Sequence, residues 1–163
     1  MHTKRKGSIG EMAVAKYLME HGFYVFKELG DLSRVDLIIE KDRKLQKIQV
    51  KALTSSNGSV DLKFTKSGNN YHFKYSKLDV DWFIVFVLDT NDFIFIPSSE
   101  MEGKKTISIR LTKAKNNQLS NTNQLVNYSI NRLLRDYTQN PQTDKAVGDD
   151  IVQTAKASPA NES

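Results

Sequence analysis

KIQVKAL, residues 47–53, alternates apolar and polar residues at its centre. Alternate side chains of a strand point to opposite faces of a sheet, so Ile48 and Val50 can enter a core while Gln49 and Lys51 share the other face. The apolar run at residues 82–88 predicts a sheet covered on both faces. A carboxamide and an ammonium on such a sheet need an explanation. The simpler explanation of these two polar residues is an edge strand whose outer face is exposed to solvent.

The preceding residues predict an antiparallel meander that brings an acid to this strand. GFYVFKE (residues 22–28) and VDLIIEKD (from residue 35) have strand composition, and residues 42–44 form a tight turn before the third strand. Counting outward from that turn places Asp36 beside Gln49 at one end of the hairpin. Taken alone, Asp36 is equally explained as a strand-end acid at the solvent edge.

Residues 8–21 predict a helix, which Gly22 ends. Ser8 and Glu11 have the spacing of a capping box, and this is the simpler explanation of Glu11 on its own. Glu11 also lies next to Val14 and Leu18 on the apolar side of the helix, where a carboxylate needs a partner.

The remaining residues predict further strands, a second helix and a tail. Residues 54–77 carry lysines and turn signals and predict a protruding basic hairpin. We expect a second long helix at residues 124–137 and, because large apolar residues are scarce afterwards, a disordered tail from residue 138 to 163. Three other segments predict strands and one predicts a helical turn: the strands DWFIVFVLD, DFIFIP and TISIRL, and the turn SSEM. Together these elements predict one mixed α/β domain, residues 1–137, whose helices cover the sheet.

Composition limits the chemistry. The chain has no cysteine and three histidines, which excludes disulfides and thiolate metal sites and argues against zinc. A metal ion would be a hard cation held by oxygen atoms. No apolar run is long enough to span a membrane, and the basic N-terminus lacks a signal-peptide apolar segment, so we expect a cytoplasmic or nucleoid-associated protein without membrane partners.

Charge points to a polyanionic partner. The net charge is +5, but residues 136–163 carry −3, so the first 135 residues carry +8. A basic folded part suggests nucleic acid, although a merely soluble basic domain has the same composition.

Four residues on these elements resemble the site of the PD-(D/E)xK nuclease superfamily. They are Glu11 in GSIGEMAVAKYL, Asp36 in SRVDLIIE, and Gln49 and Lys51 in KIQVKA. Val35 replaces the usual proline, which only shapes the backbone. Gln49 stands where an acid is usual, and this quartet is similar to that of PD-(D/E)xK homing endonucleases encoded in cyanobacterial group I introns. Holliday-junction resolvases share the basic start, the G-x-x-G-E before the helix and the segment IPSSEM…KKTISIRL.

The resemblance implies a restriction-endonuclease-like core and a site-specific double-strand DNA endonuclease. It implies that Asp36 is the central ligand of Mg²⁺, or of Mn²⁺ or Ca²⁺, that Gln49 adds its carbonyl oxygen, and that Glu11 completes the site. Lys51 would orient or activate the attacking water. With one negative charge fewer than usual, the site should bind metal more weakly.

DNA contacts are expected from the basic N-terminus and from the predicted hairpin. The candidates are Lys4, Arg5, Lys6, Lys63, Thr65, Lys66, Asn69, Asn70, Tyr71 and Lys74. One site cuts one strand, so double-strand cleavage requires at least a dimer, and a long pseudo-palindromic target would suit a tetramer. TISIRL and the apolar side of residues 124–137 are candidate interfaces. A Holliday-junction resolvase and an inactive DNA-binding module remain alternatives.

Overall fold

A computed structural model describes residues 2–29, 33–68, 71–112 and 123–138. Their elements follow in the order α1 (Thr3–Glu20), β1 (Tyr24–Lys27), β2 (Leu37–Lys41), β3 (Lys44–Leu53), β4 (Ser59–Lys63), β5 (Thr65–Gly68), β6 (Tyr71–Lys74), β7 (Trp82–Val87), β8 (Phe93–Pro97), a 3₁₀ turn (Ser98–Met101), β9 (Thr106–Arg110), a second 3₁₀ turn (Leu125–Tyr128) and α2 (Ile130–Thr138). None of the helices in these residues is long and apolar enough to cross a membrane.

The central sheet has five strands in the order β1-β2-β3-β7-β8. The predicted meander is confirmed, since β1, β2 and β3 pair antiparallel in sequence. β3 then pairs parallel with β7, which pairs antiparallel with β8, so the sheet is mixed. All six residues of β7 are buried, as expected of a central strand covered on both faces.

The two faces of this sheet bury separate cores. On one face, Ile48 and Val50 of β3 pack with Val14 and Leu18 of α1, and we call it the α1 face. The partners of Gln49 and Lys51 in β7 are Phe83 and Val85, which belong to the other core. Gln49 and Lys51 therefore lie on this second face, which we call the site face.

Helix α1 begins earlier than the sequence predicts. It starts at Thr3, and Ser8 lies inside it, where its hydroxyl donates to the carbonyl oxygen of Lys4 at 3.2 Å. The predicted capping box is therefore wrong. Lysine and arginine favour helix, so the basic N-terminal run extends α1 by more than a turn ahead of Ser8. The cap no longer explains the acid at residue 11.

Gly10 lets α1 approach β3. A methyl group at Gly10 would come within 2.7 Å of the Ala52 Cβ, whereas at Gly7 of the same helix it would meet no described atom within 4 Å. The helix therefore crosses β3 one residue after Lys51. The N-terminal half of α1 is held at the end of β3 that carries Gln49 and Lys51.

This close approach makes a testable difference between two glycines of one helix. We expect Gly10→Ala to lower the free energy of unfolding by about 1–3 kcal/mol through overpacking. Gly7→Ala should raise it by about 0.5–1 kcal/mol, because glycine disfavours helix. Urea unfolding of both variants measures the difference. Equal stabilisation by both substitutions would contradict the observed crossing.

The predicted basic hairpin is shorter than residues 54–77. β4 pairs instead with β9, with Val60 opposite Ile109 and Leu62 opposite Ile107, and only β5 and β6 form the hairpin. The reason is the apolar alternation of β4, which finds its match in β9 far along the chain. The turn residues near β4 could not predict this pairing, because its partner strand lies far along the chain.

The predicted helix at residues 124–137 is broken at Ser129, whose backbone is extended. Tyr128 belongs to the core of the site face, whereas Ile130 and Leu133 belong to that of the α1 face. One straight helix could not reach both, so the chain turns between them. Residues 139–163 of the predicted tail lie outside the described residues.

Both segments expected to form subunit interfaces bury most of their apolar side chains inside this chain, although Val126 is 74% exposed. Ile107 and Ile109 of TISIRL are at most 3% exposed, and Leu133 of α2 is fully buried. That prediction is therefore wrong for these side chains. Strand β9 and helix α2 complete the monomer core.

Candidate active site

Asp36 lies directly before β2 and is held by β3. Its backbone N–H donates to the carbonyl oxygen of Ile48 at 2.9 Å, which extends the ladder by one residue. The N–H of Val50 donates to Asp36 Oδ2 at 2.7 Å, and the Gln49 amide nitrogen donates to the same oxygen. The predicted juxtaposition of Asp36 and Gln49 is thus present in the structure. It fixes the carboxylate on the site face.

Gln49 is buried, with 4% of its surface exposed. Its Oε1 accepts a hydrogen bond from the Tyr75 hydroxyl at 2.6 Å, and its Nε2 also lies 3.2 Å from the carbonyl oxygen of Val50. An unpaired buried amide would cost about 1–3 kcal/mol. The partners on both sides of Gln49 therefore allow a polar group in this position.

Lys51 follows two residues later on the same face. Its Nζ lies 5.3 Å from the centre of the Tyr75 ring, within the range of a cation–π contact. Tyr75 consequently contacts both Gln49 and Lys51. These two, with Asp36, form a continuous group at one end of the β2–β3 hairpin, which we call the site cluster.

Glu11 is placed at the same end of the sheet but with a different partner. It accepts a hydrogen bond from Lys27 Nζ at 2.6 Å, and 23% of its side chain is exposed. Lys27 is the last residue of β1 and lies opposite Leu37, the residue after Asp36. The structure thus brings Glu11 near the start of β2 from the α1 side, through an ion pair with Lys27.

Two residues that the sequence did not single out connect the hairpin to this site. Tyr75 follows β6 directly, and Arg34 precedes Asp36 by two residues. Arg34 forms an ion pair of 2.7 Å with Asp79 and lies 4.5 Å from the centre of the Phe73 ring in β6. Burial would raise the pKa of Asp79, but the hydrogen bonds from Ser76 and Arg34 outweigh it and hold this pKa below its ordinary value. No local pattern could have found these long-range contacts.

The candidate DNA-binding residues fall into two groups. Lys4 and Arg5 are exposed and Lys6 is half-buried, and all three belong to the first turns of α1, ahead of Gly10. Thr65 and Lys74 are opposite each other at the base of the β5–β6 hairpin. Lys63 is exposed but belongs to β4, outside the hairpin, which corrects its predicted place. Lys66 and Tyr71 belong to β5 and β6, and Asn69 and Asn70 lie outside the described residues.

The donor atoms of this end of the sheet fit a hard cation. In the described part of the chain, no three His, Asp or Glu side chains lie close enough together to hold a metal ion. Mg²⁺ needs only one or two carboxylates, because it keeps several of its waters. The Asp36 carboxylate is one such group and the Gln49 amide lies beside it, while Glu11 lies at the same end of the sheet, bonded to Lys27.

Comparison with known proteins agrees with this geometry. A family model described as PD-(D/E)XK endonuclease matches residues 1–131. Protein 5.3 of Escherichia phage T7 is 30% identical over 104 residues, which span 63% of this chain and 86% of that protein. The structure of the bacterial homing endonuclease I-Ssp6803I has the same fold, with a TM-score of 0.70 at 22% identity over 88% of this chain and 100% of the other.

The family match covers α1, the meander, β7, β8 and β9, and therefore every residue of the site cluster. The mixed sheet with flanking helices is the fold expected from the resemblance. Endonucleases of this kind bind DNA and generally use divalent metal ions. The chain belongs to the PD-(D/E)XK endonuclease family and is a DNA endonuclease.

Proposed function

We propose that this endonuclease cuts both strands of DNA at a specific site in a metal-dependent reaction, and that it serves in the homing of a group I intron to a long pseudo-palindromic target. One observation carries the site assignment: the Asp36 carboxylate is fixed by the backbone of β3 beside the Gln49 amide, on the face that carries Lys51. The homing role rests on the likeness of fold to a homing endonuclease and on the glutamine at residue 49. We place its action at DNA in the cytoplasm or nucleoid.

Each residue of the site has a distinct proposed role. Asp36, Gln49 and Glu11 would hold a divalent ion, with Mg²⁺ as the physiological choice and Mn²⁺ or Ca²⁺ able to occupy the same ligands. When bound, that ion supplies positive charge to the scissile phosphate. Lys51 orients the attacking water and offsets the charge that develops on the phosphate. Glu11 must give up or share its bond to Lys27 to take part.

Cleavage assays on three substrates test the proposal. Supercoiled plasmid carrying the target, linear duplex with the same target and a four-way junction are each incubated with the protein and Mg²⁺, with a chelator as control. We expect double-strand cuts at one position in plasmid and linear duplex that disappear with the chelator. Cleavage confined to the junction would indicate a resolvase instead, and binding without cleavage an inactive module.

Cutting both strands requires two copies of the site, so we propose a homo-oligomer, at least a dimer and for a long target a tetramer. The described surface offers an apolar area for such contacts on β1 and β2. Phe26 and Ile38 are cross-strand partners, and they are 50% and 39% exposed. Tyr24 lies on the same side and is 72% exposed. Sedimentation of the protein with and without Phe26→Lys measures the subunit count, and an unchanged oligomer would exclude this surface.

The basic first turns of α1 are expected to bind phosphates. Each phosphate contact that is removed should reduce the slope of log affinity against log salt by about 0.9. We therefore expect the variant with Lys4, Arg5 and Lys6 all changed to alanine to bind every duplex more weakly and with a shallower slope. Fluorescence anisotropy at several salt concentrations measures it. Lys16→Ala, further along the same helix, is the control and should keep the wild-type slope.

A further inference from the structure

Tyr75 is a buried tyrosine held rigidly between the hairpin and the sheet. It is 3% exposed, and its backbone N–H donates to the carbonyl oxygen of Phe64 at 3.0 Å. Its ring packs edge to face against Phe83 of β7 and Phe73 of β6, with centre distances of 5.2 Å and 4.9 Å. The position of its hydroxyl is therefore set by the core of the site face and by β6.

The two polar residues of β3 in the site cluster, Gln49 and Lys51, both contact Tyr75. The Tyr75 hydroxyl donates to Gln49 Oε1 at 2.6 Å, and the Tyr75 ring lies 5.3 Å from Lys51 Nζ. Gln49 binds Asp36 through the other end of its amide. Tyr75 thus restricts the rotation of Gln49 and covers the ammonium of Lys51 at the same time.

The hydroxyl can serve either orientation of the Gln49 amide. Here the amide nitrogen faces Asp36 and the oxygen faces Tyr75. Half a turn of the amide would exchange them, which brings Oε1 beside the Asp36 carboxylate. Two such oxygen atoms repel each other unless a cation joins them. After the turn, Nε2 would face Tyr75, whose hydroxyl can accept as well as donate.

We propose that Tyr75 is a positioning residue of the endonuclease site, whose hydroxyl holds the Gln49 amide in both the metal-free and the metal-binding orientation. This inference rests on the proposed roles of Gln49 and Lys51. Tyr75 follows β6 directly, and Phe73 of β6 also contacts Arg34, two residues before Asp36. Tyr75 therefore connects the β5–β6 hairpin to the site.

Tyr75→Phe tests the hydroxyl and keeps the ring. We expect the Mg²⁺ concentration for half-maximal plasmid cleavage to rise about two- to tenfold, because without the hydroxyl the metal-free protein no longer holds the Gln49 amide in place and metal binding must order it, with a much smaller change at saturating Mg²⁺. The second readout is independent of cleavage. In NMR spectra of the free protein, Ca²⁺ should shift the side-chain amide resonances of Gln49, and Tyr75→Phe should raise the Ca²⁺ concentration required by a similar factor.

Tyr128→Phe is the matched control, because it removes another buried hydroxyl of the same core whose partners lie outside the site cluster. The Tyr128 hydroxyl lies within hydrogen-bond distance of Glu100 Oε2 and Asn123 Oδ1, at 3.1 Å each. Burial, followed by the Glu100 carboxylate, raises the pKa of Tyr128 to about 12, so this hydroxyl stays protonated in the assay. The control should leave the Mg²⁺ requirement and the Gln49 resonances unchanged.

The outcomes separate this inference from the proposed function. If Tyr75→Phe behaves like Tyr128→Phe while Gln49→Ala loses cleavage, the positioning role of Tyr75 is wrong and the site stands. Gln49 resonances of the wild-type protein that do not respond to Ca²⁺ would also overturn it. If Gln49→Ala and Lys51→Ala both cut at the normal rate, the site assignment itself fails.

Discussion

Asp36→Asn is expected to reduce DNA cleavage by at least about 10³-fold and to leave the fold intact. An oxygen at this position can still accept the N–H of Val50, which in the wild type lies 2.7 Å from Asp36 Oδ2. The substitution removes the negative charge of the central proposed ligand. A metal ion contributes several kcal/mol to stabilising the transition state, and each 1.4 kcal/mol is a factor of ten in rate. Single-turnover cleavage of the target duplex measures the loss.

The chain offers a closely matched control for this substitution. Asp81 lies directly before β7 as Asp36 lies before β2, and it accepts the N–H of Lys47 in β3 at 2.7 Å. Its own N–H donates to the carbonyl oxygen of Lys47 at 2.8 Å, as that of Asp36 does to Ile48. Asp81→Asn should therefore change stability about as much as Asp36→Asn but keep cleavage. Equal cleavage by the two variants would refute the role of Asp36.

Lys51→Ala should lower the cleavage rate by about 10²–10⁴-fold, the usual contribution of a positioned proton-transfer group, while duplex binding stays within about threefold. The reason is that one ammonium adds little to the proposed DNA interface of many cations, whereas the Lys51 ammonium contacts Tyr75, the residue that also bonds Gln49. Cleavage at saturating DNA, compared with anisotropy in Ca²⁺, separates the two effects.

Lys47→Ala is the control on the same strand and the same face. Lys47 lies four residues earlier, and its ammonium donates to the carbonyl oxygen of Leu78. Its removal should leave the rate near that of the wild-type protein. A Lys51→Ala variant that cuts as fast as Lys47→Ala would show that the water is oriented by another group.

The local part of this fold was predictable because it depends on short-range rules. The alternation of residues 47–53, the turn at Asp42 and the strand from residue 35 together determine the register of β2 on β3. That register places Asp36 beside Gln49. Asp42 and Arg43 both adopt positive φ, as the tight turn requires. Because alternate side chains of a strand lie on one face, Lys51 then lies on the same face as Gln49.

The long-range part was not predictable from the same rules. Three features depend on residues far apart in the chain: the pairing of β4 with β9, the break at Ser129 and the contact of Tyr75 with Gln49. The local sequence around each residue contains no information about its distant partner. The capping box failed for a related reason, since Ser8 and Glu11 fit it locally but the helix continues in front of them.

By itself, the sequence determined which side chains could meet at the β2–β3 hairpin, because pleat and turn geometry act over a few residues. Only the tertiary structure decided what surrounds them. It brought Tyr75 over Gln49 and Lys51, paired Glu11 with Lys27, and moved β4 out of the hairpin. These contacts follow from the packing of two cores on opposite faces of one sheet, which no local pattern encodes.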